Sequence, residues 1–242
     1  MGMAVKRSSS ASRVLKVFEE IAASQPIGVS ALARVLEADK SAVQRDLMTL
    51  ADAGWIRGAV GASGQWELTP HVLTIARPPH STDSLRQRAR PALERLRSET
   101  GETAYLTVPD GDQFVVIDAI ESEHLLRMAQ PVGMVVLVEG TATARAILPH
   151  LPEPEQERLL GRGVTSAMRE EFRATLTRGY AVNDGEVAPS AVAMASAIVS
   201  RQGVPAGALV LTGPAERLTA ARRPEVGERL RREAEALTQA VG

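Results

Sequence analysis

The chain has 242 residues, 44% of them hydrophobic and 24% charged, a balance typical of folded domains and untypical of disordered chains. It contains no cysteine, which excludes disulfides, thiolate metal sites and a cysteine nucleophile. The formal net charge of −1 excludes a polycation, but the charge is unevenly distributed along the chain. Up to Arg77 there are nine basic and seven acidic residues, and beyond it there are 19 basic and 22 acidic residues.

The N-terminal residues give no sign of export. Lys6 and Arg7 are followed by serines and not by an apolar run of signal-peptide length. Apolar stretches elsewhere, such as 134–138, are far too short to span a bilayer. We therefore expect a cytoplasmic protein that makes no contact with a membrane.

An amphipathic helix is predicted first. Its apolar side chains recur at i, i+3, i+4 and i+7, namely at Val14, Val17, Phe18 and Ile21. Ser10 or Ser12 would cap its start. The segment 25–28, which contains a proline and a glycine, would end it.

Two more helices follow, separated by a short turn. The first covers 30–36 with Ser30 as its N-cap. The second has Asp39 or Ser41 as its N-cap and ends before Gly54, a residue suited to the left-handed position after a helix. Two short helices joined by a tight turn predict a helix-turn-helix, in which the first helix braces the second.

A β-hairpin is predicted next. Residues 55–57 and 65–68 are aromatic and β-branched in character, and 58–64 between them are mostly turn formers. A helix-turn-helix followed by a hairpin is a winged helix-turn-helix, whose second helix of the pair lies in the major groove of DNA. The same pattern also occurs in protein-binding modules without DNA affinity, and this alternative stays open.

The polar side of the third helix predicts contacts with double-stranded DNA. Gln44 can pair with adenine and Arg45 with guanine, while Lys40 and Ser41 can hold phosphates at the helix start. The predicted DNA-binding residues, including one at the base of the hairpin, are Lys40, Ser41, Gln44, Arg45, Thr49 and Arg57.

Helices and strands mix beyond residue 77. A helix is predicted over 81–100, with a kink or a division into two helices at Pro91. The other predicted helices cover 141–148, 154–160, 168–178 and 224–240. The predicted strands cover 104–108, 114–119, 126–129, 193–200 and 206–212.

Catalytic and metal-binding motifs are not found in the sequence. It has no Gly-x-Ser-x-Gly, P-loop or dinucleotide fingerprint. The four histidines are scattered: His71, His80, His124 and His150. The acid–base candidate 121–124 is better explained as a turn, a cavity rim or part of a dimer contact. We expect no catalytic residue, metal or cofactor, and an enzyme in the C-terminal part remains only an alternative.

Several segments resemble the IclR family of bacterial transcriptional regulators. In the first part these are SASRVLKVF at 10–18, GVSALA at 28–33, DKSAVQR at 39–45 and LADAGWI at 50–56. Further on they are TGETAYL at 100–106, ES at 121–122, GTA at 140–142 before AIL at 146–148, GYA at 179–181 and TGP at 212–214. Each motif is modest, but the ordered set is specific and spans nearly the whole chain.

This resemblance implies an α+β protein in three parts. These are a winged helix-turn-helix DNA-binding domain over 1–77, a linker helix over 78–100 and a GAF-like α/β effector-binding domain over 101–242. It implies a homodimer or dimer of dimers that binds a partly palindromic operator and whose affinity a small-molecule effector modulates. Whether the regulator is a repressor or an activator stays open.

The resemblance also implies an effector site, in which this chain departs from the family. The implied residues are Gly140, Thr141, Ala142, Asn183, Ala193, Val210 and Thr212. The family pattern has an aspartate, a cysteine and two serines where this chain has the last four. Because a carboxylate entering a cavity needs charged or donor partners, we expect a larger apolar or aromatic effector. A cavity that has shrunk and binds nothing is the alternative.

Overall fold

The computed structural model describes residues 8–75 and 80–240, which fall into two compact units, one within 1–78 and one within 79–242. The first unit contains helices α1 (Ser9–Ser24), α2 (Val29–Val35), α3 (Lys40–Asp52) and α4 (His71–Ile75). Its strands are β1 (Ile27–Gly28), β2 (Ile56–Gly58) and β3 (Gln65–Leu68), which form an antiparallel sheet in the order β1-β3-β2.

One core holds the first unit together. The stripe predicted for the first helix supplies Val17 and Ile21, which pack with Leu32 of α2 and with Val43 and Leu47 of α3. All five side chains are fully buried. Burying a side chain of this size contributes about 1.5–3 kcal/mol, so this cluster fixes α3 against the other helices.

The helix caps follow the predictions only in part. Asp39 caps α3 as predicted, and Ser8 caps α1 by accepting a hydrogen bond from a backbone N–H. The predicted caps Ser10, Ser12 and Ser30 are wrong, since these residues lie inside α1 and α2. Both helices begin before the first apolar position of their stripe, so hydrophobic spacing places a helix start too late.

The second unit is built on a six-stranded antiparallel sheet with the order β6-β5-β4-β9-β8-β7. Its strands are β4 (Thr103–Asp110), β5 (Gln113–Ile120), β6 (Val135–Val136), β7 (Ala181–Asp184), β8 (Ala191–Val199) and β9 (Pro205–Pro214). Its helices are α5 (His80–Thr100), α6 (Ala142–Ile147), α7 (Glu153–Leu160), α8 (Ser166–Arg178) and α9 (Arg223–Ala240), with a 3₁₀ turn at Leu148–His150.

Each face of this sheet is covered by its own set of helices. Leu209 and Leu211 of β9 pack with α5 and α9, whereas Ala208 and Val210 pack on the opposite face with α6 and α8. This alternation follows from the two-residue period of a strand. Alanines on α6 and on β8 meet in the second cluster, and their small size lets α6 lie close to the sheet.

Two predictions for this unit need correction. Of the two alternatives at Pro91, a division of the helix is wrong, because α5 is continuous and its apolar side packs on the sheet both before and after the proline. A kink at Pro91 stays a prediction. Residues 126–129 form no strand, because Leu125 and Leu126 are 99% and 71% exposed and offer no buried face. The neighbour of β5 is instead the short β6, in which Val136 pairs with Phe114.

Candidate functional site

Helix α3 has an apolar side that packs inward and a polar side that faces solvent. Val43, Leu47 and Leu50 are buried in the core of the first unit. The residues that were predicted to bind DNA from this helix are all exposed: Lys40, Ser41, Gln44, Arg45 and Thr49. Donors and acceptors are thus presented on a fixed helix, as in proteins that read base edges in the major groove.

Hydrogen bonds fix the first turn of α3. Asp39 Oδ1 accepts from the backbone N–H groups of Ser41 at 2.9 Å and Ala42 at 3.1 Å, and from the Ser41 hydroxyl at 2.5 Å. The bond from the Ser41 hydroxyl, followed by the backbone bonds, lowers the pKa of Asp39. Arg45 Nη1 lies 3.4 Å from Ser41 Oγ, so the Arg45 side chain extends towards the N-terminal end of the helix.

A half-buried ion pair that the sequence analysis missed joins α1 to α3. Asp46 is only 5% exposed, and its Oδ2 accepts a hydrogen bond from Arg13 Nε at 2.6 Å. Asp46 follows Val43 at i+3 on the inward side of the helix, where an acidic residue is unexpected. An acidic residue at an inward position is the feature of the sequence that could have revealed this ion pair. Because this ion pair holds α3 against α1, it helps to fix which side of α3 is exposed.

Met48 is a second residue that the sequence analysis missed on this surface. It follows Gln44 at i+4, and its side chain is 46% exposed beside Arg45 and Thr49 on the polar side of α3. An apolar side chain at this place can contact the methyl group of thymine in the major groove. A methionine within the polar stripe of the helix is the feature of the sequence that could have revealed this residue.

Arg57, the predicted contact from the hairpin, is exposed but paired. It lies on β2 directly opposite Glu67 of β3, and Arg57 Nε donates to Glu67 Oε1 at 2.8 Å. The Arg57 side chain remains 57% exposed. Its charge is therefore partly neutralised, which leaves it suited to a phosphate contact of modest strength at best.

A cavity of about 270 Å³ lies beside the sheet of the second unit, on the side that carries α6. Most of its wall is apolar and includes Met128, Met134, Leu137 and Val187. Among the described residues that border it, the only charged side chain is Glu139, which is exposed and pairs with Arg162 at 2.8 Å. The volume is at the small end of the range for ligand sites.

Five of the seven predicted effector residues border this cavity. Asn183 pairs with Ala193, and Ala193 pairs with Thr212, across β7, β8 and β9. Because paired residues of neighbouring strands point to the same face, these three side chains form one row along the cavity floor. Thr141 and Ala142 border the cavity from the start of α6.

The other two predicted effector residues do not border it. Val210 lies in the next row of the sheet, between Tyr105 and Ala195 of the neighbouring strands, and is fully buried. Gly140 contributes its carbonyl group as the acceptor of a hydrogen bond from Asn183 Nδ2. Both residues thus support the wall of the cavity from behind.

Tyr105 and Thr143 border the cavity and were missed from the sequence. They are 5% and 1% exposed, and Thr143 Oγ1 has no hydrogen-bond partner among the described residues. Burial raises the pKa of Tyr105, and the approach of its hydroxyl to Thr143 opposes part of that shift. The cavity therefore has a small polar end within an apolar wall.

The segment 121–124 is a structural loop. Ser122 Oγ donates to the Gly101 carbonyl at 2.6 Å and accepts from the His124 backbone N–H at 3.2 Å. Glu121 pairs with Arg127 at 2.7 Å, and Glu123 also pairs with an arginine. Of the alternatives that the sequence left, which were an acid–base cluster, a turn, a cavity rim and part of a dimer contact, the contacts favour the turn.

Neither a metal cluster nor a membrane-spanning helix occurs within the described residues. Residues 8–75 and 80–240 contain no group of three or more histidine, aspartate or glutamate side chains arranged to hold a metal ion. No described helix is long and apolar enough to cross a membrane.

Comparison with known proteins establishes the class. Residues 80–239 match the family model described as the C-terminal domain of the bacterial transcriptional regulator IclR. This match covers more than half of the chain, which therefore belongs to the IclR family of transcriptional regulators. Its named relatives are regulators and repressors, so the chain is a transcriptional regulator and not an enzyme.

Individual relatives span almost the whole chain. The transcriptional repressor IclR of Escherichia coli (strain K12) is 28% identical over 247 residues, covering 96% of this chain and 90% of that protein. An IclR transcriptional regulator from Alicyclobacillus acidocaldarius has a similar fold, with a TM-score of 0.82 at 19% identity, covering 98% and 100% of the two chains. An IclR homologue from Microbacterium hydrocarbonoxydans, solved with 4-hydroxybenzoate, has a TM-score of 0.81 at 20% identity, covering 96% and 99%.

Proposed function

We propose that the first unit is a winged helix-turn-helix that reads double-stranded DNA through α3. The observation that carries this proposal is the exposed polar side of α3 on a helix whose other side is buried. The proposed DNA contacts are Lys40, Ser41, Gln44, Arg45, Thr49 and Arg57, joined by Met48. Such a protein acts where the chromosome lies, in the cytoplasm.

The three predicted parts of the chain keep their roles in this proposal. Residues 1–77 bind DNA, 78–100 link, and 101–242 bind the effector. Helix α5 of the linker packs its apolar side on the sheet of the second unit, which places it where a change in the effector domain can reach it. A ligand alters operator affinity only as far as it binds one conformation better than another.

The operator is proposed to be partly palindromic and the protein a homodimer or dimer of dimers. A two-fold symmetric dimer presents two copies of α3 to two half-sites, about one helical turn or a multiple of it apart. The names of the bacterial relatives, which include repressors, favour repression as the mode of action.

The effector is proposed to be a small apolar or aromatic molecule held in the cavity beside α6. The apolar wall and the lack of a cation among the described residues bordering the cavity support this class. That a structural relative was solved with 4-hydroxybenzoate also supports a small aromatic ligand. Calorimetric titration with pyruvate and glyoxylate tests the class, and tight binding of either acid would contradict it.

Selection of DNA duplexes from a random library by the full-length protein tests the DNA-reading role. We expect enrichment of one partly palindromic sequence, and loss of its binding in the double variant Gln44→Ala, Arg45→Ala. Arg173→Ala, which removes an exposed arginine of α8 in the second unit, is the matched control and should bind like the wild type. If no duplex is enriched and no salt-dependent binding is detected, the first unit is a protein-interaction module.

A further inference from the structure

The polar end of the cavity contains two hydroxyl groups from two elements. Tyr105 comes from β4 and Thr143 from α6, and both border the cavity while being almost wholly buried. The Thr143 hydroxyl has no hydrogen-bond partner among the described residues. A buried hydroxyl without a partner is destabilising, so this arrangement becomes favourable once a third polar group enters.

Three of the other four uncharged polar side chains along the cavity already donate to the protein, and the fourth is the half-buried Gln130. The Thr141 hydroxyl donates to the Leu137 carbonyl at 2.9 Å, and the Thr212 hydroxyl donates to the Val192 carbonyl at 3.2 Å. Asn183 uses its Nδ2 for the carbonyl group of the residue before Thr141. Since a threonine hydroxyl has one proton, neither threonine can donate to a ligand without giving up a bond to the backbone.

Charge within the cavity disfavours an anion. No lysine, arginine or histidine borders it within the described part of the chain, and the one charged neighbour is the carboxylate of Glu139. A carboxylate group loses its hydration on entry and needs cationic or several donor partners in return. An uncharged molecule avoids this cost and still fills the apolar wall.

We propose that the effector is an uncharged molecule with a compact apolar body and one hydrogen-bonding oxygen, which contacts the hydroxyls of Tyr105 and Thr143. Small phenols, alcohols and ketones belong to this class. The proposal rests on the proposed function, in which this cavity is the effector site. A cavity of about 270 Å³ limits the body to roughly the size of a single ring.

The chemistry of the two hydroxyls fits both kinds of oxygen. Burial raises the pKa of Tyr105, so its hydroxyl remains protonated and able to donate. Thr143 can donate to a carbonyl oxygen or accept from the hydroxyl of an alcohol or phenol. The pair therefore recognises an oxygen atom without requiring that the ligand carry a charge.

Three probes with the same ring separate the contributions. 4-Methylphenol has the oxygen and no charge, toluene lacks the oxygen, and 4-hydroxybenzoate adds a carboxylate. Calorimetry with the full-length protein should show binding of 4-methylphenol, with toluene at least about tenfold weaker because toluene brings no oxygen to the buried hydroxyls and leaves that of Thr143 unpaired. 4-Hydroxybenzoate should also be at least about tenfold weaker, because its charge is not compensated.

Two conservative variants test the named side chains. Tyr105→Phe and Thr143→Val each remove a hydroxyl at nearly constant size and should weaken 4-methylphenol about fivefold, with little effect on toluene. Tyr180→Phe, at the only other tyrosine, and Thr175→Val, at a buried threonine of α8, are matched controls outside this cavity. They should bind 4-methylphenol like the wild type.

Several outcomes would overturn the proposal. These are equal binding of toluene, unchanged affinity in Tyr105→Phe and Thr143→Val, no binding of any probe, or tighter binding of 4-hydroxybenzoate, which would place its carboxylate on backbone N–H groups. Adding each probe to the protein bound to its selected duplex tests the ligand class and the regulatory role separately. If 4-hydroxybenzoate binds and changes DNA affinity, the proposed function holds and the ligand class fails. If 4-methylphenol binds without changing DNA affinity, the ligand class holds and the regulatory role fails.

Discussion

At the scale of single residues, the exposed side of α3 presents three kinds of chemical group. Gln44 and Arg45 offer hydrogen bonds suited to base edges, Lys40 offers a charge for a phosphate, and Met48 offers an apolar surface for a thymine methyl. The inward-facing Asp46 is paired with the half-buried Arg13, so a rotation of the helix about its axis would break this ion pair. Base preference should therefore depend on individual exposed side chains.

Replacing Arg45 with alanine tests base reading at one position. Arg45→Ala should weaken binding to the selected duplex by about 1–3 kcal/mol and relax the preference at one base pair. Fluorescence anisotropy with the selected duplex and with duplexes changed at each base pair measures both effects. An equal loss on every duplex would instead assign Arg45 to a phosphate.

The half-buried His150 makes stability depend on pH. Burial lowers its pKa in the folded state below the ordinary value of about 6.5. As the pH falls through that value, the unfolded chain takes up the proton first, so the free energy of unfolding decreases until the pH lies below the folded pKa. His150→Gln, which cannot titrate, should show a smaller decrease between about pH 7.5 and 5.5 in urea unfolding followed by circular dichroism. The same decrease in both proteins would contradict this account.

At the scale of elements, periodicity predicted most helices and strands correctly. The stripe of α1 arises from burial on one face and the continuous apolar run of β9 from burial on both faces, which the sequence records directly. Short elements such as β1, β6 and α4 were missed because two to five residues carry no measurable period. The false strand at 126–129 contains no β-branched or aromatic residue and has no partner strand, and pairing depends on contacts distant in sequence.

The residues that border the cavity were also predicted only in part. The row Asn183, Ala193 and Thr212 followed from the family resemblance, whereas Tyr105 and Thr143 did not. Tyr105 lies within an ordinary apolar strand and Thr143 within an alanine-rich helix, so neither position looks unusual in sequence. Their proximity arises only when α6 packs on the face of the sheet from which the Tyr105 side chain of β4 projects.

Pro91 offers a test of how α5 tolerates a helix breaker. The proline removes one backbone hydrogen bond from the helix interior, and its ring is exposed. Pro91→Ala should raise the free energy of unfolding of the second unit by up to about 3 kcal/mol, and Pro91→Gly should gain about 1 kcal/mol less.

The two tryptophans provide an internal control for this test. Trp55 and Trp66 both belong to the first unit, so their fluorescence reports on that unit alone. The Pro91 variants should shift the unfolding transition seen by circular dichroism and leave the tryptophan transition in place. A destabilised Pro91→Ala would mean that the proline imposes a bend that the packing of α5 needs.

At the scale of the whole molecule, the two parts of the chain differ in net charge, as expected if only the first part binds DNA. The chain is nearly neutral overall, but its first part is slightly basic and the remainder slightly acidic. A protein without a general positive field binds nucleic acid through a few placed cations. We therefore expect the salt dependence of DNA binding to be moderate and to be traceable to named side chains.

Lys40 is the clearest of these cations, because it is exposed at the first residue of α3. Each phosphate neutralised by a protein cation releases counterions, so the logarithm of the binding constant falls linearly with the logarithm of salt concentration. Lys40→Ala should reduce that slope by about 1 in each DNA-bound subunit and weaken binding on all duplexes alike. Gln44→Ala, on the same side of the same helix, should weaken binding to the selected duplex while leaving the slope unchanged. If both variants keep the wild-type slope, Lys40 does not contact a phosphate, and the orientation proposed for α3 on DNA is wrong.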